Sequence, residues 1–277
     1  MRYGAMQSVL REPTPAVFAR AAQLGIEGVE IDWHRPADVE PGGPLAPELR
    51  AGIRSAAAAA GVAIPSVAAH FLNQGGLASP EPETQQKALA AVRAGIQLCA
   101  DLGARVLLVP FFLKGDIGGA DGVERLRGHL RALAPEAEAA GVVLAIEHTL
   151  PAAESAALLD SVGSPFVATY WDMANGVALG YDPLAEIAQL GRRIAQVHAK
   201  EWVRDDGPAP SRERPRYDRI NAAPFGQGDV PVRGIMGALR QVGYDGWIVL
   251  ETGAFGDPGE SARAAMELLR AVEENSQ

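Results

Sequence analysis

Along this chain a stretch of alanine and leucine at helical spacing repeatedly meets a glycine, and a run of β-branched residues follows. The phrase reads AAQLGIEGVEID around Gly25, AAAAAGVAIPSVAAH around Gly61 and CADLGARVLLVPFF around Gly103. It returns as AEAAGVVLAIEH around Gly141 and LRQVGYDGWIVLET around Gly243. Physically this describes a helix closed by a left-handed glycine, then a short loop into a buried strand. Two more strands keep the rhythm without the phrase. PFVATYWDMAN follows a short helix around 152–162, and RIAQVHAKEW follows one around 182–191. RYGAMQSV supplies the first strand. Eight strands are thus expected near residues 2–7, 26–32, 62–69, 105–111, 142–148, 165–172, 193–199 and 246–251. Their runs are apolar on both faces, as strands are when helices cover one side and a closed core the other.

Eight alternating βα units predict an α/β fold, a single (β/α)8 TIM barrel with a parallel eight-stranded sheet inside a ring of helices. A doubly wound open sheet is the rival. The glycines of FGQGDVPVRG do not decide for it, because they follow a long loop rather than a strand and so carry only a weak nucleotide signal. The 277 residues fit one domain over 1–277, close to the ~250 typical of such barrels. Helix starts agree with the parse. Thr14-Pro15 and Ser79-Pro80 place a hydroxyl before a proline, and Asp182-Pro183 does so with a carboxylate. One connection is long. Residues 202–229, rich in Pro, Gly, Arg and Asp, leave the seventh strand at the end where barrel active sites sit, and are expected to form a lid.

Composition narrows the chemistry. A formal charge of −9 argues against a nucleic-acid partner, whose phosphates need clustered Lys and Arg. Cys99 is the only cysteine, which excludes an intrachain disulfide and a thiolate metal cage, and its helical context suits an inert core thiol. The opening MRYGAMQSVLREPTP has no apolar signal core, and no run approaches the ~20 residues of a membrane span. A cytoplasmic protein with no membrane partner is expected. Ala-rich outer helices would permit a homo-oligomer.

Residues at the C-terminal ends of barrel strands converge on the mouth. Four of them follow apolar runs on adjacent strands: Glu147 (LAIE), Asp172 (YWD), His198 (AQVH) and Glu251 (IVLE). The first three are 25 and 26 residues apart, one βα unit each; the gap of 53 to Glu251 is one unit plus the lid. Three carboxylates and an imidazole at one point repel unless a cation sits among them. Such ligands suit Mn²⁺ or Mg²⁺, with Co²⁺ or Zn²⁺ within a looser preference. The alternative is that each carboxylate pairs separately with a basic side chain or a helix N-terminus.

At these motifs the chain resembles the xylose isomerase-like barrels, which include sugar phosphate isomerases and epimerases, ketose 3-epimerases, inosose-processing enzymes and endonuclease IV. The likeness runs over essentially the whole chain. It rests on AIEH at Glu147, DMAN at Asp172, HAKE at His198, the FGQGDV segment and VLET at Glu251. The resemblance implies that these four residues bind one divalent metal while Glu147 and Glu251 also move protons. The implied enzyme is a sugar or sugar phosphate isomerase or epimerase acting through a cis-enediolate on a small-molecule substrate. Asn175 departs from the pattern: ketose 3-epimerases carry His there, at a position that touches substrate, so the substrate class stays open. Only five histidines and the acidic charge count against the endonuclease.

Further mouth residues have two readings each. His70, ending VAAH, is a substrate hydroxyl contact or a satisfied core histidine. Lys200 neutralises the intermediate or pairs with a ligand carboxylate. Arg204, at the start of the lid, resembles the arginine that touches substrate in ketose epimerases. Arg212, Arg214 and Arg216 form a phosphate grip or a solvated loop. Glu154 contacts substrate or opens a helix. Trp33, Trp171 and Trp202 form an aromatic wall or pack in the core. His34, His129 and His148 carry no distinctive signal. Two rival functions remain: an inosose dehydratase-type lyase on the same metal site, and a non-catalytic sugar-binding barrel.

Overall fold

The computed structural model describes residues 1–274, so the last residues of the expected domain, 275–277, lie outside it. The strands are β1 (Arg2–Met6), β2 (Gly28–Asp32), β3 (Ser66–Ala68), β4 (Val106–Phe111), β5 (Val143–His148), β6 (Val167–Asp172), β7 (Ile194–Ala199) and β8 (Trp247–Leu250). Each pairs in parallel with the next, and β8 closes onto β1 in the register Arg2↔Trp247 to Ala5↔Leu250. The fold is a closed (β/α)8 TIM barrel. The helices are α1 (Gln7–Leu10), α2 (Ala16–Gln23), α3 (Pro47–Ala60), α4 (Pro82–Leu102), α5 (Ala120–Ala140), α6 (Ala152–Val162), α7 (Asn175–Ala178), α8 (Pro183–Leu190), α9 (Val232–Gln241) and α10 (Pro258–Glu274). None is long and apolar enough to cross a membrane, among the described residues.

The two-residue period of each strand divides its side chains between two apolar layers. On β4, Leu107, Val109 and Phe111 join the large cluster shared with the helices, whereas Val106 and Leu108 join the small cluster inside the barrel with Ala68, Ala145 and Tyr170. The same alternation carries Ala145 on to Glu147, and Tyr170 on to Asp172, which places both acids on the inner face at the mouth. Cys99 is fully buried on α4, and its thiol donates to the Val106 carbonyl at 3.5 Å.

All five phrase glycines have positive φ, between +66° and +77°. Gly163 ends α6 in the same way at φ +73°, although SVGSP hides it from the phrase. β3 begins four residues later than expected because Pro65, just before it, has no N–H for the ladder; upstream, Ala63 makes only an isolated bridge to Gly28. Two helix starts also move. α4 begins at Pro82, with the Ser79 hydroxyl accepting from the Glu81 N–H in the turn before it, and α2 begins at Ala16 without a side-chain cap. Asp182 caps α8 as expected, accepting from the N–H groups of Leu184 and Ala185. Asp182→Ala is expected to cost about 1 kcal/mol, read as a lower urea midpoint at unchanged slope.

The long connection after β7 is tied to itself. Trp202 bridges Ile220, and its indole N–H donates to the Arg216 carbonyl. The Arg216 guanidinium grips Asp205 and Asp218 and draws the Asp205 carboxyl down to about 2. The buried Glu201 carboxylate anchors the far end, accepting from Gly226 N at 2.7 Å and Val230 N at 3.1 Å. A Cβ on Gly228 would fall 2.5 Å from Glu201 Oε1, and Gly226 turns at φ +81° against Leu268, so the glycines of FGQGDV are accounted for by the folding of this loop.

Candidate metal centre

Glu147 and Asp172 stand at the ends of β5 and β6, His198 near the end of β7, and Glu251 just past β8. Their ligand atoms all lie within 4.8 Å of one another. Backbone geometry orients Asp172: its Oδ1 accepts from Ala174 N at 2.8 Å and Asn175 N at 2.6 Å as the chain turns into α7. The Asn175 amide in turn donates to Glu147 Oε1 at 3.0 Å. Lys200 reaches in from beyond β7, 2.7 Å from Glu251 Oε2 and 3.3 Å from Asp172 Oδ2.

The remaining ligand atoms converge on a common space, with Lys200 at its edge. His198 Nδ1 is 2.8 Å from Glu251 Oε2 and 3.7 Å from Glu147 Oε1. Yet Asp172 Oδ2, His198 Nδ1 and Glu251 Oε2 are all buried without a hydrogen bond of acceptable geometry. Buried polar atoms are ordinarily satisfied, and three in one cluster that make only charge contacts with Lys200 and with one another leave a place for a further partner. Three carboxylates and one imidazole are the donor set of a hard to borderline divalent ion, so these residues fit one.

Electrostatics agree with that fit. Burial pushes the Asp172 carboxyl up to about 6, with the charges of Glu251 and Glu147 adding and Lys200 opposing. Burial also works against the Lys200 ammonium, but Asp172 and Glu251 outweigh it and hold the group charged. For Glu251 the burial penalty is outweighed by Lys200 and His198, which keep it below the usual carboxylate range. The neighbouring His148 behaves differently. It faces the helices, accepts from Leu150 N, pairs with the Ser155 hydroxyl, and is pushed by burial down to about 4.

A cavity of about 590 Å³ opens above the cluster, within the usual range for small-molecule sites. Its floor carries Glu147, Asn175, Lys200 and Glu251, and His70 stands on its wall. His70 Nε2 lies 2.9 Å from Asp32 Oδ1, and the ring stacks on His34 at 5.2 Å. Burial alone would lower its pKa, but the Asp32 bond and charge give a net rise. The loop over the mouth contributes Arg212, Pro215 and Tyr217 to the lining.

Three expected contacts lie elsewhere. Trp33 is 1 % exposed, just past the end of β2, edge-on to Phe71 in the core and with its N–H donated to the Arg35 carbonyl. Arg204 is exposed on the outer side of the loop, in a separate cleft with Val177 and Pro208, because Asp229 holds its backbone N–H there. Glu154 opens α6 outside the cavity and pairs with Arg212 at 3.2 Å. Trp171 and Trp202 are buried and form no wall of the cavity. Of the three loop arginines only Arg212 lines it; Arg214 bonds the Ala209 carbonyl and Arg216 its two aspartates.

The sequence reading passed over Asn73, Asp116 and Tyr217, whose loops hold no motif, and it singled out no role for Glu30. Glu30 is 0 % exposed on β2, with Oε1 2.8 Å from His198 Nε2. A carboxylate inside the apolar run GVEID was the available signal.

Comparison with known proteins follows the same lines. Residues 18–272 match the family described as xylose isomerase-like TIM barrel. The chain is similar to the 2-epi-5-epi-valiolone 7-phosphate 2-epimerase of Actinoplanes sp., with 34% identity over 212 residues and 76% of each chain covered. It is also similar to the rhizopine catabolism protein MocC of Rhizobium meliloti, with 30% identity over 62% of this chain and 58% of that one. Among solved structures, D-psicose 3-epimerase from Clostridium cellulolyticum H10, with D-tagatose, superposes with a TM-score of 0.78 at 19% identity, covering 99% of both chains.

Proposed function

The chain belongs to the xylose isomerase-like TIM-barrel family, and from that membership we propose that it is a divalent-metal-dependent epimerase or isomerase of a small polyhydroxy ketone, free or phosphorylated. The observation that carries this is the cluster of Glu147, Asp172, His198 and Glu251 with its unsatisfied buried atoms beneath a sugar-sized cavity. A 34% identical relative is named as the 2-epimerase of 2-epi-5-epi-valiolone 7-phosphate, which supports a substrate with a carbonyl next to a hydroxyl-bearing carbon.

Glu147, Asp172, His198 and Glu251 would hold the ion, Mn²⁺ or Mg²⁺ by donor type. When bound, it supplies Lewis-acid polarisation of the substrate carbonyl and the adjacent oxygen. The protein does the proton work. Glu147 and Glu251 come from β5 and β8, the outer strands of the four that carry the cluster, so a substrate lying between them presents opposite faces. One carboxylate removes the proton beside the carbonyl, and the other returns one to the opposite face, which inverts that centre. Asn175 steadies Glu147 through its amide, and Lys200 steadies Glu251 through its charge. His70, set by Asp32, is placed to hold a distal hydroxyl. The loop at 202–229 acts as a lid that excludes water while the intermediate exists.

A β-elimination has one observation in its favour: the His70–Asp32 pair offers an acid for a leaving hydroxyl on the wall of the cavity. One screen separates the readings. Protein with Mn²⁺ is incubated in D₂O with ketoses, aldoses, inososes and their phosphates, then followed by NMR. Metal-dependent exchange beside the carbonyl with an epimeric product is the expected result. An enone product would shift the assignment to a lyase, and binding without exchange on every substrate would leave a sugar-binding barrel.

A further inference from the structure

Inside the barrel, below the cluster, β2, β3, β6 and β7 meet in a buried polar network in which Gln196 Oε1 lacks a hydrogen-bond partner. Glu30 is its centre. Its Oε2 accepts from the Ser66 hydroxyl at 2.6 Å and the Tyr170 phenol at 2.8 Å, and its Oε1 lies 2.8 Å from His198 Nε2. The Gln196 amide donates to both Ser66 Oγ and the Tyr170 oxygen, at 2.6 and 2.8 Å. That commits the two hydroxyl protons to Glu30. Burial and the Glu30 charge keep the phenol protonated, hence a donor.

A carboxylate at 0 % exposure is costly to bury unless it is fully partnered, and an apolar side chain would fill the same place without that cost. The contact that leads out of the network is the one to His198. An ionised carboxylate can only accept, so the nitrogen facing Glu30 carries the proton, and in the neutral ring that a bound ion requires the other nitrogen is the one with a free lone pair. The other nitrogen is Nδ1, the unsatisfied atom that faces Asp172, Glu147 and Glu251. Two residues further along the same face of β2, Asp32 orients the His70 ring in the same way.

We propose that Glu30 is the positioning residue of the metal centre: through His198 Nε2 it fixes the ring's orientation and tautomer, so that Nδ1 is presented to the ion. This rests on reading the four-residue cluster as a metal site. Glu30 touches neither ion nor substrate and acts only through the imidazole, the arrangement that tunes metal-bound histidines generally.

The test is metal affinity. Titration calorimetry with Mn²⁺ on Glu30→Gln is expected to show binding weakened by roughly 10–100-fold against wild type. Tyr170→Phe breaks the same network but leaves the Glu30–His198 contact, and its Kd is expected to stay close to that of wild type. Equal affinities in wild type and folded Glu30→Gln would overturn the assignment, and so would equal losses in the two variants. Should Glu30→Gln not fold, ¹⁵N NMR of wild type with Zn²⁺ decides. A His198 signal with the proton on Nε2 and coordination at Nδ1 supports the assignment, and the reverse tautomer overturns it. Wild type that binds neither Mn²⁺ nor Zn²⁺ would instead overturn the reading of the centre itself, and the assignment with it.

Discussion

Glu147→Gln and Glu251→Gln are each expected to slow formation of the epimeric product by roughly 10²–10⁴-fold at saturating Mn²⁺. Glutamine keeps the size of the side chain and an oxygen that can ligate, but it cannot take up a proton. Each glutamate also has a hold of its own, Glu147 on the Asn175 amide and Glu251 on Lys200, so neither substitution should displace the other carboxylate. Epimerisation needs both groups, one for each face. Loss of either should stop turnover, while the variant that keeps the abstracting base should still wash solvent deuterium into recovered substrate. Metal content measured on the same samples separates lost proton transfer from a lost ion. Near-normal turnover in either variant, with metal bound, would remove that glutamate from the mechanism.

Stripping the protein with EDTA is expected to abolish exchange and lower the melting temperature, both restored by Mn²⁺. An ion that binds only the folded chain stabilises it by about 2.7 kcal/mol at a hundredfold excess over Kd. For a chain of this size that corresponds to a shift of roughly 5–10 °C. The physical source is the crowding of Glu147, Asp172 and Glu251 around unsatisfied atoms, which Lys200 and His198 offset only in part. Asp172→Asn should remove most of the Mn²⁺-dependent shift. A melting temperature indifferent to EDTA and Mn²⁺ would show that Lys200 and His198 already complete the cluster.

Much of this architecture is legible because it is periodic. Five helix–glycine–strand phrases reflect local rules, a left-handed cap and a doubly covered strand, that hold wherever the segment lies in space. Eight such units leave few closed arrangements, and parallel strands then deliver their last residues to one end. The candidate ligand set followed from the same regularity: Glu147, Asp172, His198 and Glu251 each end an apolar run on successive strands. Local rules failed where a neighbour competed. Pro65 shortened β3, and Ser79 spent its hydroxyl on a turn ahead of α4.

What no pattern along the chain carries is which way a side chain outside the regular strands turns, and what meets it there. Trp33 and Arg204 stand beside chemistry in sequence, yet one is packed into the core and the other faces solvent on the loop's outer side. Arg212 and Tyr217 reach the cavity because the loop folds on Arg216 and Glu201, contacts between residues that no period links. Glu30 is the sharpest case. Alone in GVEID it is an acid in an apolar strand, and only closure of the barrel sets it against His198, 168 residues further on. Strand order and the inward acids are thus written in one dimension, because repeat and alternation are one-dimensional. Pairing across the barrel and over its mouth belongs to three.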